Sequence, residues 1–149
     1  MWFDGYHRQF GKRLDEFHAL EIPAMLAELS PEQEEQVTQG AKEFPFGAVL
    51  DVLNSKHSYE DKVSRILAIS GTWMNAASGS QWALGPLSST AYSERVGIGV
   101  RWGEIAFSPL LNVAENLIDA YPTWPGVLRE FAENQEFNRD YFSQRLKEI

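Results

Sequence analysis

Ser58-Tyr59-Glu60-Asp61-Lys62-Val63-Ser64-Arg65-Ile66-Leu67-Ala68-Ile69-Ser70-Gly71-Thr72-Trp73-Met74 is the stretch on which the fold turns. Its serine stands three residues before an acid, so the hydroxyl is placed to accept a backbone N–H at the open start of a helix. Val63, Ile66, Leu67 and Ser70 then follow one helical face toward Trp73 and Met74. The spacing predicts a helix from Ser58 to about Ser78-Gly79.

Upstream, Ser30-Pro31-Glu32-Gln33 repeats the logic with a serine cap, proline at the first helical position and glutamine three residues after the cap. A helix from Pro31 to about Glu43 is expected. Its few apolar residues, Val37, Ala41 and the following Phe44, leave much of it facing solvent. Phe44-Pro45-Phe46-Gly47 breaks it, and Ala48 to Leu53 fits either a buried helical turn or a short strand. Nearer the N-terminus, Phe3, Tyr6, Phe10, Leu14 and Phe17 form an amphipathic stripe that Asp4 would cap and that reaches Leu20. Pro23 then either kinks this helix or starts a new turn carrying Met25, Leu26 and Leu29.

Downstream, Gly79 to Gly103 is richer in glycine and serine and is the least regular stretch. Val96, Ile98, Val100 and Trp102 alternate with Gly97, Gly99, Arg101 and Gly103, as in a strand. A glycine-lined helix fits as well, with Gly99 and Gly103 four apart on one face. Ser108-Pro109 reads as cap and first residue of a helix bearing Leu110, Leu111, Val113, Leu117, Ile118 and Tyr121, which Pro122 stops. Thr123-Trp124-Pro125-Gly126 introduces a short helix with Val127, Leu128 and Phe131. Asn138 would cap a last one with Tyr141, Phe142 and Leu146. The expectation is one mainly α domain over residues 1–149: a compact, irregular set of six or seven helices with one small β-hairpin near 96–107.

Composition bounds the function. The chain has 149 residues, 44% of them hydrophobic and 13% aromatic, enough for one packed core. It has no cysteine, which rules out disulfides, thiolate metal sites and cysteine nucleophiles. No apolar run approaches the roughly 18–20 residues of a membrane span, and no secretory leader pattern opens the sequence, so a cytoplasmic protein without membrane contact is expected. Twenty-one acids against thirteen bases give a net charge of -8, which repels nucleic acid and attracts cationic partners.

Catalytic patterns are missing. Each histidine has a carboxylate three residues away, as Asp4 with His7, Asp15 with His18, and His57 with Glu60. On one helix, however, His7 and His18 would stand about 16 Å apart and share no ion. Neither metal nor other cofactor is expected. No Gly-x-Ser-x-Gly, Walker loop or dinucleotide fingerprint occurs. Two features rise above background. One is the acidic segment with Glu32, Glu34 and Glu35. The other is Trp82 to Trp102, where tryptophans and Arg101 sit among glycines and serines, residue types enriched at binding hot spots. The favoured expectation is a non-catalytic acidic domain that binds a more basic partner protein and is able to inhibit it, as acidic immunity or antitoxin proteins do. Glu32, Glu34, Glu35, Trp82, Arg101 and Trp102 are its candidate contact residues. The alternative is a small enzyme or ligand-binding domain with a cleft of carboxylates and tryptophans around Trp82, Trp102 and Glu104. Homo-oligomerisation stays open.

Overall fold

The computed structural model describes residues 8, 11–87 and 95–148. Phe3, Asp4, Tyr6, His7 and Phe10, which figure in the first stripe and its cap and histidine pair, lie outside the described residues. From residue 11 the chain is helical and passes into a π-helical turn at Phe17–Glu21, then directly into α1 (Ile22–Leu26). The wide turn sits immediately before Pro23. Proline has no N–H to donate and its ring crowds the carbonyl four residues back, so the ladder opens there and the Ile22 N–H bonds to the Phe17 carbonyl. The bend turns Leu14, Phe17, Ile22 and Leu26 inward.

Next, α2 (Pro31–Thr38) has the full capping box: the Ser30 hydroxyl accepts from the Gln33 N–H at 3.2 Å, and the Gln33 side chain accepts from the Ser30 N–H. It ends five residues short of Glu43. Gly40, at φ +61°, turns the chain away, and the carbonyls of Ala41 and Lys42 go to side chains from elsewhere rather than to a helical ladder. The ambiguous apolar run resolves as a helix, α3 (Phe46–Leu53), which buries Ala48, Val49, Val52 and Leu53.

The long central helix is α4 (Tyr59–Ser78). Ser58 accepts from the Asp61 N–H at 3.2 Å, and Gly79 closes the far end in the left-handed region at φ +74°, which glycine enters without a Cβ clash. Ile66, Ala68, Trp73 and Met74 on this helix are fully buried, and the other elements pack around it.

Between Gly79 and Leu110 the chain forms an antiparallel meander of β1 (Gln81–Pro86), β2 (Val96–Trp102) and β3 (Ala106–Pro109), with β2 in the middle. Trp82 faces Val100, and Trp102 faces Ala106. The period-two pattern of β2 therefore prevails over the glycine-lined helix, and β1 adds a strand to the expected hairpin. A Cβ on Gly99 would lie 2.2 Å from the Ser108 carbonyl oxygen and 2.7 Å from the Phe107 ring, and one on Gly85 would meet the same ring at 2.7 Å. These glycines make room for Phe107 across the sheet.

Ser108-Pro109 belongs to β3 rather than to a helix start. A missing N–H is tolerated on an edge strand, and α5 (Leu111–Ala120) begins after Leu110. The last two expected helices are one, α6 (Val127–Lys147), and Asn138 lies inside it. Its buried stripe runs through Leu128, Phe131, Ala132, Gln135 and Arg139. The chain is thus mainly helical with a small sheet. No helix among the described residues is long and apolar enough to cross a membrane.

Two polar networks run through this core. Arg139 donates to the Ala41 and Lys42 carbonyls at 2.8 Å each, and its guanidinium lies 3.9 Å from the centre of the Trp73 ring. The Trp73 indole N–H bonds to the Ala41 carbonyl, and the Phe44 N–H to the Glu136 carboxylate, so the link between α2 and α3 is fastened to α4 and α6. The other network joins helix to sheet: the Trp102 indole donates to the Ser78 hydroxyl, which also contacts the Met74 carbonyl and the Ser80 hydroxyl.

Candidate functional site

The bent N-terminal helix, α2, the second half of α4 and the start of β1 enclose a cleft of about 830 Å³. That volume lies in the range of sites for small molecules or single large side chains. Leu14, Ile22 and Leu26 supply its apolar wall and α4 contributes Thr72, Asn75 and Ala76. Asp15 and His18 enter from the N-terminal helix, three residues apart on the face that the π-helical turn swings over the cleft. Glu34 and Thr38 enter from α2, where the Thr38 hydroxyl donates to the Glu34 backbone carbonyl at 2.8 Å.

Trp82 completes the cleft beside Ser80 and Gln81. It is seated by a notch in α4: a Cβ on Gly71 would lie 2.0 Å from the end of the indole. Phe17 meets the ring edge-to-face at 5.8 Å. The Ser80 hydroxyl donates to Asn75 Oδ1 at 2.6 Å, which sets the entry of β1 against α4. The Thr72 hydroxyl oxygen is shut off from solvent in the same wall and has no hydrogen-bond partner among the described residues.

No family model, curated protein or solved structure matches this chain. The site's chemistry therefore rests on its own residues. The cleft carries two carboxylates, a histidine, an indole and several neutral polar groups, with no lysine or arginine among the described residues that line it. Among the described residues no three of histidine, aspartate and glutamate stand close enough together to hold a metal ion. No hydrogen bond joins His18 to a serine or threonine hydroxyl among them.

The six residues singled out by the sequence do not form one patch. Glu34 and Trp82 meet in the cleft. Glu32 and Glu35 are exposed on α2 outside it. Arg101 lies on β2, opposite Gln81 in register and 3.9 Å from Glu104. Trp102 is fully buried, hydrogen-bonded to Ser78 and packed on Phe142 at 4.9 Å, which makes it a core side chain. The cleft of carboxylates and tryptophan thus forms with Trp82, Asp15 and Glu34, while Trp102 and Glu104 lie outside it. The three-residue spacing of Asp15 and His18 was the sequence sign of their shared face. Nothing comparable marked Thr72, Asn75 or Ser80.

Among the described residues, two titrating groups away from the cleft are shifted. A hydrogen bond from Arg65, and then its charge, hold the Glu28 carboxyl below its ordinary value of 4.5. Burial, and then the charges of Asp119 and Glu115, push the Tyr59 phenol above 10.0.

Proposed function

We propose that this chain is a non-catalytic acidic binding domain for a more basic protein, and that it inhibits that partner where the acids cover a cationic working surface. One observation carries the proposal: Glu32, Glu34 and Glu35 project from a short helix that begins in a capping box and is tied to α3 by the Gln33–Asp51 hydrogen bond at 2.8 Å, and none of the three joins an ion pair among the described residues. Acids left without internal partners keep their field for an incoming one, and the net charge of -8 adds to it. A ligand-binding domain is the second reading, favoured by the volume and lining of the cleft.

The test is kinetic. Association with the protein that copurifies with this chain slows as salt rises, since the reach of the field contracts to about 8 Å near physiological ionic strength. Replacing Glu32, Glu34 and Glu35 together by lysine lowers the association rate about tenfold or more. Stability shifts by only about 0.5 kcal/mol per exposed site. An association rate indifferent to both salt and charge reversal refutes the proposal.

A further inference from the structure

We propose that the cleft receives the guanidinium group of an arginine side chain of the basic partner. This rests on the reading above and adds the group that enters and the place that takes it. The lining places two acceptors, the Asp15 and Glu34 carboxylates, on different helices beside the Trp82 indole, with no lysine or arginine among its described residues. An arginine brings five N–H donors and no acceptor, the complement of such a wall.

The rest of the lining selects arginine over lysine. Trp82 supplies an indole, on which a planar, weakly hydrated guanidinium stacks better than a compact ammonium. Each carboxylate can take a forked pair of N–H donors, which an ammonium cannot supply. The three-carbon stem needs apolar cover, and Ile22 and Leu26 provide it. An inorganic cation is a poor match, because the acids and His18 are too widely spread to surround one ion.

The experiment follows the Trp82 indole N–H by two-dimensional ¹⁵N–¹H correlation spectra of the whole chain, the signal being identified by its loss in Trp82→Phe. N-acetyl-arginine amide shifts this signal saturably with an affinity of about millimolar, as expected for a single side chain. Asp15→Asn and Glu34→Gln, both at exposed positions, each weaken it by about threefold to tenfold while the remaining spectrum stays folded. N-acetyl-citrulline amide, neutral and nearly isosteric, gives no saturable shift. The proposal is overturned if citrulline and arginine behave alike, if agmatine binds and the arginine amide does not, or if only the exposed Trp124 responds. Partner association that keeps its salt dependence while arginine amide fails to bind removes the cleft proposal and leaves the acidic-face reading intact. Arginine amide binding with salt-indifferent partner association removes the acidic-face reading and leaves the guanidinium site.

Discussion

Arg139 is nearly buried, and replacing it by methionine should cost this fold about 3 kcal/mol. Its guanidinium makes two well-formed bonds, to the Ala41 and Lys42 carbonyls, and a longer one to the Gly40 carbonyl at 3.4 Å. Hydrogen bonds to a charged group contribute roughly 1.5–3 kcal/mol each in net terms. The contact with Trp73 adds about 1–2 kcal/mol in a desolvated setting. Against this stands the cost of burying a charge whose nearest acid, Asp140, is 71% exposed and neutralises it weakly. That cost offsets about half of the gain, hence about 3 kcal/mol. Methionine keeps most of the volume but leaves the Lys42 carbonyl without this donor. In a chain of 149 residues such a loss lowers the melting temperature by about 6–12 °C. Urea unfolding with linear extrapolation, at unchanged slope, is the assay. Lysine should recover only part of the loss, since one ammonium cannot reach two carbonyls in a fork. A change below about 1 kcal/mol for methionine would show that desolvation cancels the clamp and refute the reasoning.

Three more expectations can be measured. Gly71→Ala puts a methyl where the Trp82 ring lies, so it should destabilise by about 1–3 kcal/mol in thermal unfolding and move the Trp82 indole resonance; an unchanged resonance would deny the notch its role. Trp102→Ala empties a fully buried site and should cost about 3–5 kcal/mol in the free protein, whereas a neutral result would contradict its place in the core. Glu28 has a lowered folded pKa, so the stability it lends through Arg65 is present above its ordinary value of 4.5 and is lost as pH falls through the lower folded value. Carbon-13 carboxyl titration should place it below the other exposed glutamates, and Arg65→Gln should return it toward them.

Much of the fold was legible because caps and apolar spacing agree. Ser30 and Ser58 each announced a helix start that the backbone honours, and the alternation from Val96 to Trp102 marked a true strand. The misses have physical causes. The stripe of α6 includes Gln135 and Arg139, polar residues buried at helical spacing, so the apolar pattern seemed to break between Phe131 and Tyr141 where the helix runs on. β1 escaped notice because Ala83, Leu84 and Gly85 are consecutively buried, which erases a period of two. Ser108-Pro109 looked like a helix start because a cap and the end of an edge strand suit the same residue types. The cleft was half visible. Trp82 and Glu34 were chosen for their chemistry, but what unites them is the packing of three helices and a strand, and no local spacing encodes that.

The clamp at Arg139 also orders events in time. The carbonyls it holds belong to residues 97 to 99 positions earlier, and the Phe44 N–H waits for a carboxylate 92 positions later. At synthesis rates of about 5–20 residues per second, the link between α2 and α3 leaves the ribosome roughly 5–20 seconds before its fasteners exist. During that interval α4 can already cover part of the link with Trp73, but the loop's remaining polar groups must stay with water. The link between α2 and α3 is thus completed only when α6, the last of the described helices, has emerged.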